Sequence, residues 1–176
     1  MLLPRCRYKY SGPDERWRVY PAAYGNDVLF PKNHNFKIVN VNESCGLGVI
    51  CFRNFREGEI VARMAGEIIH DIRQHSLQIR PDVHLYDIYF SGYFLHSCDP
   101  NIYLDMENLL VYAVKPIKKN DLLMMDYAQT EDYLFRQFAC SCGAENCRKW
   151  ICGKKETADI PVNAPAAQRI SALRMN

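Results

Sequence analysis

Three cysteines within eight positions constrain this chain more than any other feature of its sequence. Cys140, Cys142 and Cys147 follow the pattern Cys-x-Cys-x-x-x-x-Cys, a spacing typical of metal ligands. A closed structural zinc site takes four ligands, so segment 138–150 predicts a zinc site that needs one more ligand from elsewhere. The alternative is a set of cysteines that are not linked to one another.

The other explanation for eight cysteines in 176 residues is a small secreted disulfide framework. Pro4 and Arg5 stand where a signal peptide would have its apolar stretch. No apolar run approaches the roughly 20 residues that span a bilayer. We therefore expect a soluble protein, nuclear or cytoplasmic and without a classical export signal, in which zinc is favoured over disulfides.

The composition is that of a folded globular domain, with 48% hydrophobic and 24% charged residues. The net charge of +2 conceals an acidic middle, because residues 86–135 carry eight acidic side chains against three lysines. Such a region could attract a basic substrate. A solvated surface of mixed charge is the alternative interpretation.

Short segments with the pattern of β-strands dominate the chain. "FKIVNV" alternates apolar and polar residues, "ESCGLG" is a glycine turn, and "VICF", "NLLVYAV" and "LLMMDY" are rich in strand formers. We predict helices in "HDIRQHSLQI", in "TEDYLFRQF" and in "AAQRISALRM". Many strands and few helices predict a mainly β fold rather than a doubly wound α/β fold.

Four stretches occur in a distinctive order: "CGLGVICFRNFREGEIV", "AGEII", "HSCDPN", and "DLLMMDY" followed by "FACSCGAENCRKWICG". Each motif alone is weak, but together they resemble the SET-domain family of protein lysine methyltransferases, including its zinc-binding post-SET segment. The resemblance covers about residues 37–153. It implies a mainly β domain of short strands around a pseudoknot, with the "HSCDPN" segment threaded beside the Asp-Tyr strand.

On this resemblance we divide the chain into four parts. Residues 1–36 form an N-terminal arm, 37–137 the SET domain, 138–153 the post-SET zinc segment, and 154–176 a C-terminal tail. The spacer between "GEII" and "HSC" is short, as in compact stand-alone SET proteins.

The resemblance also supplies the missing zinc ligand. In the family it is the cysteine of the His-Ser-Cys motif, here Cys98, which would complete a four-thiolate site with Cys140, Cys142 and Cys147. Such a closed site has no position for a catalytic water. It would fasten the C-terminal segment over the cofactor and substrate clefts, so that metal binding and folding of the segment are coupled.

The resemblance implies S-adenosylmethionine as the cofactor. Glycines of the Gly-x-Gly turn would allow its close approach, and His96 would contact it through the backbone. Trp150 would add apolar surface, although packing against the zinc site is an equally open role for it. The implied cofactor-binding residues are Gly46, Leu47, Gly48, Leu95, His96, Tyr127, Phe138 and Trp150.

Tyr127, in "MMDY", is the implied catalytic residue. The methyl of a sulfonium is already activated, so the main requirement is a neutral lysine amine aligned with it. Free lysine has a pKa near 10.4, and desolvation in the site would favour its neutral form. The Tyr127 hydroxyl would orient that amine. Asn101 would hold the pseudoknot by hydrogen bonds.

Three positions depart from the family pattern. Leu95 replaces an asparagine that contacts the cofactor, Met64 replaces a tyrosine that lines the lysine channel, and Met125 replaces an aromatic residue that influences how many methyl groups are added. Methionine has no hydroxyl to hold a water, which disfavours strict monomethylation.

We therefore predict a protein-lysine N-methyltransferase that acts on a basic protein or peptide such as a histone tail, without binding a membrane or nucleic acid directly. A methyltransferase for a non-histone protein and a degenerate SET fold that only binds a partner remain as alternatives. A third class, a nucleic-acid-binding zinc protein, has only the short basic run around Arg148 and Lys149 in its favour.

Overall fold

The computed structural model describes residues 19–161 and 164–165. Within them lie twelve short strands, two 3-10 turns and one four-residue α-helix, so the predicted mainly β class is confirmed. The third predicted helix, 166–175, lies outside the described residues. The domain boundaries stay a prediction.

The strands form five small sheets of two or three strands each. In chain order they are β1 (Phe36–Asn42), β2 (Gly46–Cys51), β3 (Ile60–Arg63), β4 (Glu67–Ile69), β5 (Ser76–Arg80), β6 (Val83–Tyr86), β7 (Leu95–His96), β8 (Ile102–Asp105), β9 (Leu110–Ala113), β10 (Met124–Met125), β11 (Phe138–Ala139) and β12 (Trp150–Ile151). The sheets are β1–β2, β7–β10, β11–β12, β3–β9–β8 and β4–β6–β5.

The first hairpin follows from its turn residues. The Asn42 side chain accepts hydrogen bonds from the backbone N–H groups of Ser44 and Cys45 at 2.9 and 2.8 Å. Gly46 takes φ +70°, a conformation that costs glycine little. Strand β2 then runs antiparallel to β1, as "FKIVNV" and "VICF" predict.

The crossing of β7 and β10 is the only parallel pairing among the described strands. Asn101 secures it as predicted: its amide donates to Leu122 O and accepts from Met124 N–H, both at 2.8 Å. The backbone of Asn101 adds a bond to Met124 O at 3.0 Å. The "HSCDPN" segment and the strand before Tyr127 are therefore fixed side by side.

Two predicted helices are wrong. Residues 70–75 form turns, His75 takes φ +73°, and β5 begins at Ser76, so the polar "HDIRQHSLQI" segment ends as a strand paired with β6. The second predicted helix, over 130–138, is also absent. A four-residue helix, α1 (Tyr127–Thr130), precedes it instead, and Asp126 caps α1 by accepting from Ala128 N–H. It ends at Thr130, after which the "TEDYLFRQF" segment becomes irregular.

The main core lies between β2, the β3–β9–β8 sheet and the segment that precedes β7. It buries aromatic side chains such as Phe36, Phe90 and Phe94 with aliphatic ones from the sheet. A second apolar cluster, around Ile50 and Leu122, packs under the crossing. No helix in the described part of the chain has the length and apolar character that crossing a membrane requires.

Candidate functional site

A cleft of about 1370 Å³ runs between the first hairpin, the segment before β7, helix α1 and the cysteine-rich segment. Six of the predicted cofactor-binding residues line it: Gly46, Leu47, Leu95, His96, Tyr127 and Phe138. Gly48 and Trp150 do not. The structure thus brings residues from four separate parts of the sequence to one concave surface, a common form of ligand site.

Tyr127 stands at the start of α1 with its hydroxyl already oriented. The hydroxyl donates to the Phe94 carbonyl at 2.8 Å, across the β7–β10 crossing. Burial, followed by the charge of Glu131, raises the pKa of Tyr127 well above its ordinary value. The phenol is therefore neutral at physiological pH, a state suited to orienting a polar group by hydrogen bonding.

His96 and Phe138 pack edge-on against Tyr127. The three ring centroids lie 5.2 to 5.8 Å apart, with interplanar angles of 66 to 75°. The side chain of His96 is 3% exposed, and its Nδ1 accepts from the Tyr127 N–H at 3.2 Å. Its Nε2 therefore carries the ring hydrogen and faces Cys98 Sγ at 3.4 Å. The His96 side chain thus links Tyr127 to the cysteine cluster.

Leu95 packs over the glycine turn instead of presenting a polar group. A methyl group added at Gly48 would come within 2.9 Å of Leu95 Cδ1, so the absence of a side chain at Gly48 makes this contact possible. Leu95 joins the apolar cluster of Val41 and Leu122. At this position the cleft wall is apolar.

The other two departures from the family pattern lie away from the cleft. Met64 and Met125 are 1% and 2% exposed and pack in the main core. Neither lines the cleft in the described part of the chain. Their methionine side chains therefore act in this structure through core packing.

The four cysteines that the resemblance groups together are close in space. The sulfur atoms of Cys98, Cys140, Cys142 and Cys147 all lie within 4.8 Å of one another. Cys98 follows β7, whereas the other three lie between β11 and β12. The Asn146 amide donates to Cys98 O at 2.8 Å, which joins the two segments near the sulfur atoms.

This donor set fits zinc. Tetrahedral zinc with Zn–S bonds of about 2.3 Å requires sulfur atoms roughly 3.8 Å apart, a small contraction of the observed cluster. Hydrogen bonds from the Cys140 thiol, the His96 ring and the Arg148 N–H lower the pKa of Cys98 strongly. The shared hydrogen bond in turn raises the pKa of Cys140. The pocket is thus arranged for a thiolate at Cys98.

The cysteine cluster is connected to helix α1 by Arg148. Its guanidinium pairs with Asp126, the residue that caps α1, and its backbone N–H donates to Cys98 Sγ at 3.4 Å. These groups hold a metal ligand and the start of the Tyr127 helix in one arrangement. Among the described cysteines six are free, but Cys45, outside the cluster, is disulfide-bonded, so the sequence prediction that favoured zinc over disulfides does not hold for every cysteine.

Trp150 takes the alternative role, packing in the C-terminal segment. Its indole N–H donates to Gln137 Oε1 at 2.9 Å, and the residue is 8% exposed. The same Gln137 oxygen accepts from the Asp159 N–H at 2.8 Å. The chain beyond the cysteines therefore folds back onto residues 131–137.

On the opposite side of the cleft, a buried carboxylate organises the segment before β7. Asp87 is fully buried and accepts hydrogen bonds from the backbone N–H groups of Tyr89, Phe90 and Ser91 at 2.7 to 3.0 Å. It also accepts from the hydroxyls of Ser91 and Tyr20, at 2.5 and 2.6 Å. Asp87 thereby fixes the turn at residues 87–91, which leads to Tyr93 and Phe94.

Sequence reasoning missed Tyr20 and Asp87. Tyr20 comes from the N-terminal arm, and its oxygen also accepts from the Ala65 N–H at 2.9 Å. Its ring packs against Tyr24, Phe30 and Tyr89, with centroids 5.2 to 6.3 Å apart. A lone Asp and a Tyr far apart in sequence form no motif, so only the folded chain shows that they meet.

No family model matches this chain. It is 28% identical over 178 residues to the histone-lysine N-methyltransferase ASHR3 of Arabidopsis thaliana, which covers 85% of this chain and 34% of ASHR3. It is 26% identical over 152 residues to the H3 lysine-36 specific histone-lysine N-methyltransferase of Candida albicans, covering 72% of this chain and 18% of that protein. The chain thus spans about a third of ASHR3 and less than a fifth of the Candida protein.

Solved structures share the fold. A crystal structure of KRYPTONITE with mCHG DNA and SAH superimposes with a TM-score of 0.56 at 24% identity, over 66% of this chain and 28% of that one. The methyltransferase domain of human SETMAR gives a TM-score of 0.53 at 18% identity, over 67% and 58%. At these identities the comparison establishes the fold.

Proposed function

We propose that this chain, a SET-domain protein related to the histone-lysine N-methyltransferases, transfers a methyl group from S-adenosylmethionine to a lysine side chain of a basic protein. The observation that carries the proposal is one cleft lined by the glycine turn, His96, Tyr127 and the segment clipped by four cysteines. A KRYPTONITE structure contains both an H3(1–15) peptide and SAH, which supports a histone tail as the first substrate to test.

The residues of the chain supply binding and orientation. The Gly46–Gly48 turn offers backbone groups near the cleft, and Leu95, His96 and Phe138 would cover the cofactor. The sulfonium supplies an activated methyl group. The four cysteines would hold zinc as a structural ion, which stabilises the segment carrying Phe138.

Tyr127 orients the lysine amine. Because its hydroxyl hydrogen is directed to the Phe94 carbonyl, its oxygen lone pairs remain to accept a hydrogen bond from the amine. The Phe94 carbonyl would also make a weak contact with the methyl group of the cofactor. The cleft then contributes mainly alignment and desolvation, which together account for large rate effects.

The test is mass spectrometry of basic peptides, beginning with a histone H3 tail, incubated with zinc-loaded protein and S-adenosylmethionine. We expect a mass gain of one or more methyl groups on lysine. Tyr127→Phe should lower kcat by about 100-fold because the orienting hydroxyl is lost. Tyr103→Phe is the matched control, since Tyr103 is half exposed on β8.

One observation favours a second candidate, a SET fold that binds a basic peptide without turnover. Leu95 fills the position where the family has a cofactor-contacting asparagine, and its side chain packs onto Gly48. In that case zinc-loaded protein would bind peptides but would neither bind S-adenosylmethionine nor add methyl groups. The same incubation, followed by calorimetry with the cofactor, separates the two candidates.

A further inference from the structure

The cleft contains a buried carboxylate that the proposed function leaves unused. Glu131 is 6% exposed, lines the cleft, and directly follows helix α1. Both oxygens of its side chain accept from the Gln78 N–H in β5, at 3.0 and 3.2 Å. Its backbone is fixed as well, because its N–H donates to Tyr127 O and its carbonyl accepts from Lys154 N–H. Hydrogen bonds therefore hold both the carboxylate and the main chain of Glu131 in place.

The carboxylate of Glu131 differs in its ion pairing from that of its neighbour Asp132. Asp132 pairs with Lys155 at 2.9 Å and with Lys154 at 3.4 Å, and it accepts from the Gln78 side chain at 2.9 Å. No ion pair reaches Glu131 from the residues that the structure describes. A buried acid that is hydrogen-bonded but uncompensated in charge is costly, and in a cleft it is a functional candidate.

The surroundings of Glu131 raise the pKa of its carboxyl group toward neutral pH. Burial is the main cause that raises the pKa of Glu131 to about 7, and the charge of Asp132 adds to it. The Gln78 hydrogen bond, Thr130 and the charge of Lys154 act in the opposite direction. Besides Asp132 and Lys154, Tyr127 is also near enough to be affected, because the charge of Glu131 contributes to raising the pKa of Tyr127.

Glu131 comes one turn after Tyr127. Helix α1 ends at Thr130 and Glu131 is its C-cap, with its N–H bonded to Tyr127 O. Both residues line the same cleft, and the charge of Glu131 acts on the Tyr127 phenol. A lysine side chain that extends toward the Tyr127 hydroxyl would therefore enter a part of the cleft that this carboxylate influences.

We infer that Glu131 is a further catalytic residue, whose carboxylate takes a proton from the ε-ammonium of the target lysine as that side chain enters the cleft. The inference rests on the proposed function and adds a proton acceptor to it. The step solves a chemical problem, because lysine is cationic in solution and only its neutral amine can attack a methyl group.

The atoms and charges balance as follows. One N–H bond of the ammonium breaks and an O–H bond forms on Glu131. The amine lone pair then forms the N–C bond while the C–S bond breaks, and its electron pair stays on sulfur. The methylated product is again a cation, and Glu131 releases its proton to solvent before the next turnover.

The environment favours this transfer. In an apolar cleft an amine and a carboxylic acid avoid the desolvation cost that an ammonium and a carboxylate carry. The positive charge of the sulfonium nearby further disfavours an ammonium at the same place. Both effects act on the pair formed by lysine and Glu131 rather than on either group alone.

The first test compares the pH dependence of kcat for the wild type and Glu131→Gln. Glutamine keeps an oxygen to accept from the Gln78 N–H but cannot take a proton. At pH 7 we expect a kcat about 100-fold below wild type. The variant's rate should keep rising toward the lysine pKa near 10.4, where solvent removes the proton, so that the gap closes to less than about tenfold.

Glu107→Gln, on an exposed turn between β8 and β9, is the matched control and should follow the wild-type profile. A deficit of Glu131→Gln that is the same at every pH, or no deficit at all, would overturn the inference. Either result would assign Glu131 a purely structural role.

A second measurement does not depend on turnover. The titration of Glu131 is followed by NMR in protein with ¹³C-labelled glutamate, assigned by difference from Glu131→Gln, with a bound lysine peptide and with the same peptide carrying norleucine. Because the transferred proton stays on Glu131, the lysine peptide should raise the midpoint by at least about one pH unit more than the norleucine peptide does. If both peptides have the same effect, the inference fails even in an active enzyme. If the lysine peptide alone raises the midpoint in this way but no methyl is transferred, the proposed function fails and the proton transfer to Glu131 stands.

Discussion

The two sides of the cleft are held together by different means. On the C-terminal side, four cysteine sulfur atoms within 4.8 Å of one another fix the segment around β11 and β12. On the other side, Asp87 collects five hydrogen bonds and fixes the turn before β7. The first side would be held by a zinc ion bound to these four cysteines, whereas the hydrogen bonds of the second lie within the polypeptide. Zinc would therefore stabilise the segment around β11 and β12, whereas the turn that leads to the Phe94 carbonyl is held by Asp87.

We expect the largest effect from a substitution that removes one of the four cysteine ligands. Cys140→Ser removes one of four zinc ligands, so zinc affinity should fall by more than about 100-fold and segment 138–153 should lose its protection from hydrogen exchange. Cys152→Ser is the control, because Cys152 is a free thiol outside the cluster. The comparison would be wrong if segment 138–153 stayed protected, or if residues 87–94 lost protection to the same extent.

Asp87→Ala removes the hydrogen-bond acceptor that fixes the turn before β7. It leaves three backbone N–H groups and two hydroxyls without their acceptor, so we expect a loss of about 3–5 kcal/mol in the free energy of unfolding, measured with urea on zinc-loaded protein. Asp87→Asn should cost less because one side-chain oxygen remains. Glu43→Ala, on the exposed hairpin turn, should change stability by less than about 0.5 kcal/mol. An Asp87→Ala protein that also loses zinc would show that the two sides are not separate.

The pKa shifts of Glu131 and Asp132 predict opposite effects of pH on the free energy of unfolding. Glu131 has a folded-state pKa of about 7 against an ordinary value of 4.5, so the folded chain retains a proton that the unfolded chain loses. This lowers stability by about 3 kcal/mol as pH rises from 4.5 to 7. Asp132, whose pKa is lowered to about 2 by Gln78 and Lys155, adds stability that is lost as pH falls from about 4 toward 2.

Urea unfolding of Glu131→Gln across this range isolates the Glu131 contribution. The difference in stability between variant and wild type should grow in the variant's favour between pH 4.5 and 7. Parallel curves for the two proteins would mean that the folded state does not perturb Glu131.

We expect the smallest effect from the loss of a single hydroxyl group that bonds to Asp87. Tyr20→Phe removes one hydrogen bond to Asp87 and the acceptor of the Ala65 N–H, but keeps the ring among Tyr24, Phe30 and Tyr89. We expect a loss of about 1–2 kcal/mol with zinc content unchanged. Tyr103→Phe on the surface of β8 should leave stability unaltered. A neutral Tyr20→Phe would mean that the arm contributes by packing alone.

The same contrast explains what could be predicted from the sequence. The cysteine side was visible because metal ligands keep a fixed spacing, and the His-Ser-Cys and Asp-Tyr motifs are local. The alternation of apolar and polar residues in "FKIVNV" and the glycine turn after it also predicted β1 and β2. Both signals depend only on residues that are neighbours in the sequence.

What could not be predicted depends on contacts distant in sequence. "HDIRQHSLQI" has the polarity of a short helix, but pairing with β6 overrides its local preference and makes Ser76–Arg80 a strand. Asp87 and Tyr20 meet across 67 residues. Trp150 was a candidate for the cleft, and its burial against Gln137 depends on how the chain beyond the cysteines folds back. In the sequence Glu131 is one acid among several, and only its burial in the folded cleft distinguishes it.

Calorimetric titration of the zinc-loaded protein with S-adenosylmethionine, repeated after zinc removal by a chelator, tests the central claim most directly. If the cysteine site completes the cofactor cleft, the zinc-loaded protein binds the cofactor and the stripped protein binds it at least about tenfold more weakly. Equal affinity in both forms would show that the clipped segment does not belong to the cofactor site. No binding to a folded, zinc-loaded protein would contradict the proposed methyltransferase and leave the peptide-binding module.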